Sequence, residues 1–243
     1  MHRFTLSKCA MTRWRTLSWV LMALPLSAVE FPRFTVHTID HFGDAIGQTA
    51  LVDVDRDGDL DWIAGNASHA KDRPGAISWW EYQGPDTWVR LELGVGKTDV
   101  GGAAFDVDGD GWVDFVAGSV LLLNSREPRT KPFVAHEIGA LFSHDTEFAD
   151  VDGDGRMDLI ANHETGGLAW FQIPRKPTGP WVKHEIAAAR VPRIHGGVSP
   201  KAVADIDGDG DPDVVSAQAW YENLGRGLSW KEQLKSVSGR HSF

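Results

Sequence analysis

The fold of this protein is decided by the stretch Asp150-Val151-Asp152-Gly153-Asp154-Gly155-Arg156-Met157-Asp158. The stretch has the pattern D-x-D-x-D-G-x-x-D, with aspartate at positions 1, 3, 5 and 9 and glycine at position 6. Three further copies run from Asp53 to Asp61, from Asp106 to Asp114 and from Asp205 to Asp213. A single Asp-Gly segment is typical of an ordinary turn. Four copies indicate a repeated structural unit.

Each copy of the pattern places four carboxylates in one short loop. These groups repel one another unless a cation neutralises them, and oxygen ligands at this spacing suit a hard ion of calcium's size. The glycine at position 6 has the backbone freedom that a chain turning around an ion needs. Position 7 varies in chemistry, so we expect it to offer its backbone carbonyl. The sequence therefore predicts four Ca²⁺ loops. The predicted ligands are Asp53, Asp55, Asp57, Asp59, Asp61, Asp106, Asp108, Asp110, Trp112, Asp114, Asp150, Asp152, Asp154, Arg156, Asp158, Asp205, Asp207, Asp209, Asp211 and Asp213.

The residues after each loop exclude a helical EF-hand. That motif needs a glutamate at position 12, where this chain has Ala64, Ala117, Ala161 and Ser216. Each loop is followed instead by a short apolar run that ends at small or turn residues, which is typical of a buried strand. The loops are therefore predicted to join β-strands.

The repeated unit is longer than the loop itself. The loops begin 53, 44 and 55 residues apart, close to the length of a four-stranded propeller blade. A short strand enters each loop and an apolar strand leaves it. A third strand follows, aromatic in three copies, and then a fourth in which apolar and polar residues alternate, as in Trp181–Ile186. Such alternation favours a half-exposed outer strand. The sequence predicts an all-β fold of four-stranded antiparallel blades.

The loops, the strands after them and third strands such as Trp220-Tyr221-Glu222-Asn223 resemble FG-GAP/VCBS repeats. These repeats build the calcium-binding β-propellers of integrin α-subunit heads and of many secreted bacterial proteins. The resemblance covers about residues 33–236. It implies a propeller, usually of seven blades, in which each calcium loop joins the first two strands of a blade.

Four blades are visible in the sequence, at about residues 44–94, 99–139, 144–188 and 195–236. Residues 33–39 are predicted to be the outer strand of a closing blade. Seven blades of this length would need more than about 300 residues. We therefore expect an incomplete seven-bladed propeller rather than a closed four-bladed one.

Residues 1–28 are predicted to be a secretory signal peptide. They contain four basic residues and no acidic one, followed by an apolar run from Leu17 to Leu26 and by Ser27-Ala28. The apolar run is too short to span a membrane. Cys9 is the single cysteine, so the exported chain would have no disulfide, and bound calcium would replace that cross-link. We expect a secreted protein, extracellular or periplasmic, with no transmembrane segment in the mature chain.

The charge of the chain excludes one class of partner. Its 34 acidic and 24 basic residues give a formal net charge of −10. Much of this acidity belongs to the four loops. Nucleic-acid binding needs a basic surface, so nucleic acid is not expected as a partner.

The polar residues outside the loops map to the opposite face of the predicted propeller, where propellers commonly bind ligands. In one interpretation this face binds a glycan or a protein, and the chain is an adhesion module without enzymatic activity. In the other, His144, His163 and His195 converge as acid/base groups or metal ligands of a carbohydrate lyase or dehydratase, since some propeller-fold enzymes resemble this repeat type. The binding interpretation is favoured. The candidate residues of this ligand face are His69, Lys71, Arg73, Asp99, Asp145 and Glu164.

Overall fold

The structure is a computed structural model in which the chain divides into two units, Met1–Val36 and His37–Phe243. The described residues are 33–41, 46–66, 75–96, 102–139, 145–163, 167–188, 202–216 and 219–234. They contain no helix that is long and apolar enough to cross a membrane. The predicted signal peptide lies outside the described residues.

The described part of the second unit is all β. Its strands are β1 (Ile46–Val52), β2 (Asp61–Asn66), β3 (Gly75–Gly84), β4 (Thr87–Gly96), β5 (Gly102–Phe105), β6 (Asp114–Ala117), β7 (Val120–Leu123), β8 (Val134–Glu137), β9 (Asp145–Ala149), β10 (Asp158–His163), β11 (Gly167–Gln172), β12 (Val182–Ala187), β13 (Val203–Ala204), β14 (Asp213–Val215), β15 (Ala219–Asn223) and β16 (Trp230–Leu234).

These strands form four separate four-stranded sheets, and within each sheet the strands lie in chain order. Every pair of neighbouring strands is antiparallel. The sheets are those of propeller blades, and we call them blade 1 (β1–β4), blade 2 (β5–β8), blade 3 (β9–β12) and blade 4 (β13–β16). The predicted fold class is confirmed.

Consecutive residues of the third strand in a blade pack against different neighbouring blades. In blade 3, Phe171 belongs to a core shared with blade 2, and Trp170 belongs to a core shared with blade 4. A third core joins blades 1 and 2 through Trp79 and Leu122. This two-sided burial follows from the two-residue period of a strand and explains why the third strands are apolar on both faces.

Residues 33–41 form no strand, so the outer strand expected at residues 33–39 is absent. A strand needs a neighbour with which to exchange backbone hydrogen bonds, and none of the four sheets pairs with this segment. Its second half contacts blade 1 through side chains instead. Asp40 accepts a hydrogen bond from the Trp80 indole at 2.9 Å, and Nδ1 of His37 lies 3.0 Å from a carboxylate oxygen of Asp86.

Candidate metal sites

Each blade carries one aspartate loop between its first and second strands. We number the loops with their blades. They are loop 1 (residues 53–61), loop 2 (106–114), loop 3 (150–158) and loop 4 (205–213). The four loops have the same structural environment, because each occupies the same place in its sheet. One strand ends just before position 1, and the next begins at position 9.

Two residues of each loop have a left-handed backbone. At position 6, φ of Gly155 is 84°, as the sequence pattern requires. At position 4, φ is 70° for Gly153 but also 62° for Arg56. A side chain in this conformation costs about 1–2 kcal/mol. Arg56 has a compensating contact, because its guanidinium lies 5.4 Å from the centre of the Trp112 ring in loop 2.

The aspartate at position 1 closes the loop by accepting two backbone hydrogen bonds. In loop 3, Asp150 accepts from the N–H of Asp154 at 3.0 Å and from the N–H of Gly155 at 2.9 Å. Loops 1 and 2 have the same pair of bonds. In loop 4 the first donor is Gly208 in place of the position-5 residue. The loop backbone therefore folds around its own first carboxylate.

The aspartate at position 9 fastens the loop to the sheet. Oδ2 of Asp114 accepts from the N–H of Val107 at 2.9 Å, and Oδ1 accepts from the N–H of Asn124, after β7, at 2.8 Å. The equivalent aspartates Asp61, Asp158 and Asp213 make the same two kinds of bond. All four side chains lie in buried residues. A carboxylate oxygen with one backbone donor still has a lone pair for a metal ion.

Carboxylates of each loop converge on a common point. In every loop, three aspartates each offer an oxygen that lies within 4.8 Å of the other two. The clusters are Asp53, Asp55 and Asp57; Asp106, Asp108 and Asp114; Asp150, Asp152 and Asp158; and Asp205, Asp207 and Asp213. These four clusters can hold a metal ion. Loops 2 to 4 use positions 1, 3 and 9, whereas loop 1 uses positions 1, 3 and 5.

The surroundings of Asp55 fit a cation. Its side chain is only 3% exposed, and the positive charge nearest to it is the Arg129 guanidinium, 2.5 Å away. An ionised carboxylate in such a place needs a positive charge nearby. Burial raises the pKa of Asp55, as do Asp57 and Glu81, while the Arg129 guanidinium lowers it. The donor set is oxygen only, which suits a hard divalent ion.

Burial also raises the pKa of the position-9 aspartates in loops 1 to 3. The pKa is about 6 for Asp61, about 7 for Asp114 and about 6 for Asp158, because desolvation outweighs the backbone hydrogen bonds that favour the charged form. A bound cation would hold these groups ionised at neutral pH.

Positions 5 and 7 of each loop are joined to each other by a hydrogen bond. The position-5 carboxylate accepts the N–H of position 7 in all four loops, from Asp59, Trp112, Arg156 and Asp211. Three position-5 aspartates also pair with arginine: Asp57 with Arg129 at 2.7 Å, Asp110 with Arg126 at 2.6 Å, and Asp154 with the loop's own Arg156 at 2.6 Å. The Arg156 side chain also donates to the carbonyl of Ile173 at 2.9 Å.

The sequence pattern did not reveal two charged neighbours of loop 1. Glu81 is buried within β3, and Arg129 comes from the connection between β7 and β8 of blade 2. Both lie far from loop 1 in sequence, and neither belongs to the repeated pattern. A signal was nevertheless present, since an acidic residue directly after the apolar pair Trp79-Trp80 in a buried strand needs a positive partner.

The predicted ligand face falls largely outside the described residues. His69, Lys71, Arg73, Asp99, His144, Glu164 and His195 all lie there. His163 is the last residue of β10, where its backbone pairs with Gly167. Asp145 is buried at the start of β9. The roles proposed for these residues stay predictions.

An open groove lies on the side of the loops, between β9 of blade 3 and β13 of blade 4. Its volume is about 630 Å³. The walls combine apolar and acidic side chains, including Phe148, Met157, Glu147 and Asp205. Because Asp150 and Asp205 line it, the groove adjoins the aspartate clusters of loops 3 and 4.

The fold and the loops together define a repeat protein of antiparallel propeller blades, with an aspartate cluster between the first two strands of each blade. Residues 150–216 match the family model of the FG-GAP-like repeat, so the resemblance predicted from the sequence is confirmed. No curated protein matches the chain. Among solved structures, the chain is similar to the crystal structure of the V. cholerae biofilm matrix protein Bap1, with 18% identity and a TM-score of 0.44. That match covers 76% of this chain and 30% of the other chain.

Proposed function

We propose that this protein is a secreted, calcium-binding β-propeller module that binds a glycan or another protein. The observation that carries the proposal is the fourfold recurrence of one aspartate cluster at the same position of four similar sheets. One acidic cluster is common on protein surfaces. Four clusters with the same left-handed positions, and with the same position-9 hydrogen bonds to the sheet, indicate a common function. Oxygen ligands in a flexible loop suit calcium.

In the proposed sites, the carboxylates at positions 1, 3, 5 and 9 hold the ion with the position-7 carbonyl. Bound calcium neutralises a loop whose aspartates otherwise repel one another. It also fixes the turn between the first two strands of a blade. Calcium then supports the sheets in place of the disulfides that this cysteine-poor sequence does not offer.

The proposal of secretion rests on the basic and then apolar character of residues 1–28. The proposal of ligand binding rests on the repeat family and on the groove between β9 and β13. Apolar and acidic walls beside two cation sites would suit a ligand that has both hydroxyl or carboxylate oxygens and an apolar face. The enzyme alternative has no support from the described residues and stays a prediction.

Calcium titration by calorimetry tests the metal sites. We expect about four ions per chain. In each of Asp106→Asn, Asp152→Asn and Asp207→Asn, one ion should be lost, whereas Asp86→Asn, an exposed aspartate outside the loops, should keep all four. Magnesium should bind more weakly, because it demands a stricter octahedral geometry. An unchanged heat signal on calcium addition to the wild-type protein would contradict the proposal.

Thermal unfolding gives a second readout. Calcium at about 100 times its dissociation constant contributes about 2.7 kcal/mol per site. For a protein of this size each site then raises the melting temperature by about 5–10 °C. Excess chelator should therefore lower the melting temperature markedly, and the three loop variants should respond less than Asp86→Asn. Binding of immobilised acidic and neutral polysaccharides, with and without calcium, then tests the ligand proposal separately.

A further inference from the structure

Arg129 of blade 2 reaches across to loop 1 of blade 1. Its Nη2 atom lies 2.5 Å from Asp55, 2.7 Å from Asp57 and 2.7 Å from Glu81. Its Nε donates a second hydrogen bond to Glu81 at 2.8 Å. One guanidinium thus sits among three carboxylates, and two of these belong to the cluster that can hold a metal ion.

Loop 1 depends on this guanidinium more than its counterparts depend on any basic side chain. At position 3, Asp108, Asp152 and Asp207 each accept a backbone N–H from the position-5 residue. Asp152 also accepts from the Gln172 side chain at 2.8 Å. The backbone N–H of Asp57 likewise favours the charged form of Asp55, but Asp55 also lies 2.5 Å from the Arg129 guanidinium. Arg129 is therefore the principal charge compensation that Asp55 has in the described part of the chain.

In the other loops, basic side chains contact fewer of the aspartates. Arg126 contacts a single carboxylate of loop 2, Asp110, and its side chain is 63% exposed. In loop 3, Arg156 pairs with Asp154, which is outside the converging cluster. Within the described residues, no basic side chain contacts the aspartates of loop 4. The four loops share one pattern but differ in the positive charge already present.

We propose that Arg129 is a built-in competitor for the metal ion at loop 1, so that this loop binds calcium most weakly and couples its occupancy to the contact between blades 1 and 2. This inference rests on the proposed calcium function. In the metal-free protein Arg129 holds Asp55 and Asp57 and ties blade 2 to loop 1. When the ion enters, the guanidinium leaves these two carboxylates and keeps Glu81, which is not a member of the cluster.

Electrostatics fixes the direction of the effect. A positive charge within hydrogen-bond distance of two ligands repels an incoming divalent ion. The ion must also displace the guanidinium before it can use both carboxylates. Replacing Arg129 by a neutral side chain should therefore strengthen calcium binding at loop 1 by about tenfold or more. The same replacement should weaken the metal-free protein, because three buried or half-buried carboxylates lose their counter-charge.

The experiment compares Arg129→Gln with Lys131→Gln in the full chain. Lys131 lies two residues away, carries the same charge and pairs with Glu127 instead of loop 1. Calcium titration should show a weakest site that becomes at least about tenfold tighter in Arg129→Gln and does not change in Lys131→Gln. In chelator, Arg129→Gln should melt at a lower temperature than Lys131→Gln, and this difference should shrink in calcium.

A double-mutant cycle assigns the effect to loop 1. In an Asp55→Asn background, the weakest site should be absent and Arg129→Gln should leave the remaining affinities unchanged. Equal titrations of wild type and Arg129→Gln, with calcium bound by both, would overturn the competitor role and leave the calcium proposal standing. An absence of calcium binding in the wild type would overturn both. Circular dichroism of each variant in calcium checks that it is folded.

Discussion

Asp114→Asn should have opposite effects on stability with and without calcium. Asp114 is 2% exposed, and burial raises its pKa from an ordinary 3.8 to about 7. At pH 8 the ionised side chain therefore destabilises the metal-free fold by as much as about 4 kcal/mol. Asparagine removes this charge. It also replaces one acceptor oxygen with an N–H₂ group, so the N–H of Val107 or Asn124 loses its partner, at a cost of about 1–3 kcal/mol.

The balance gives a net gain of about 1–3 kcal/mol for the metal-free variant at pH 8. With calcium the sign reverses, because the ion already compensates the charge and asparagine removes a ligand oxygen as well as a hydrogen bond. Urea unfolding at pH 8, in chelator and in calcium, measures both values. Asp86→Asn is the control and should change neither. If Asp114→Asn lowered the unfolding free energy by similar amounts in both conditions, this carboxylate would not be a buried charge that a bound cation compensates.

Three further outcomes follow from the geometry. First, the raised pKa values of Asp61, Asp114 and Asp158 mean that, as pH falls, these three groups bind protons in the folded metal-free protein before they do so in the unfolded chain. Their contribution to the unfolding free energy should therefore be largest below about pH 4 and should fall as pH rises through about 6–7. Calcium affinity should change in the opposite direction, as titrations between pH 5 and 8 can show. Second, Gly227→Ala should destabilise by about 1–3 kcal/mol or more, because a Cβ there would lie 2.8 Å from both Trp170 and Val151 and the φ of 63° is strained for alanine. The control Gly179→Ala meets nothing within 4 Å. Equal urea midpoints would contradict the packing of blades 3 and 4. Third, Asn223→Ala should lower the unfolding free energy by about 2–4 kcal/mol, since the side chain makes hydrogen bonds with the backbone of Val151, Gly225 and Gly227. A loss below about 0.5 kcal/mol would mean that this residue does not join the blades.

The strands and loops could be predicted from the sequence because their signals are local. The aspartate pattern repeats within nine residues, and apolar runs such as Leu159-Ile160-Ala161 follow it directly. The two-residue period of a buried strand and the turn preference of Asp and Gly are properties of the nearby chain. Four repetitions then removed the ambiguity that a single short apolar run would have had.

The hydrogen bond from the start of the connection after the third strand, or from that strand itself, to the position-9 aspartate could not be predicted. Its donor lies at a variable distance along the chain. The donor to Oδ1 is Tyr82 in blade 1, 21 residues after Asp61, but Asn124 in blade 2, 10 residues after Asp114. The length of the connection between the second and third strands sets this spacing. A sequence pattern with fixed spacing therefore does not include this donor.

Contacts between blades were the other part that the sequence did not reveal. Arg129 reaches Asp57 across 72 residues, and nothing in the local sequence of either residue indicates the other. The same holds for the position-4 residue Arg56, whose left-handed backbone is unusual for arginine and whose guanidinium lies over Trp112 in the next blade. The glycine at position 4 of loops 2 to 4 was a usable sign of that conformation.

Position 2 of the loop shows why metal binding and blade packing should act together. The N–H of Val151 donates to Asp158 of its own loop, its carbonyl accepts from Asn223 of blade 4, and its side chain is fully buried in the core between blades 3 and 4. Val54 has the same three contacts with blade 2. An ion that orders the position-9 carboxylate therefore also orders the residue on which the next blade packs. Because hydrogen bonds and packing on one residue are coupled, loss of calcium should loosen the contacts between blades before it melts the sheets themselves.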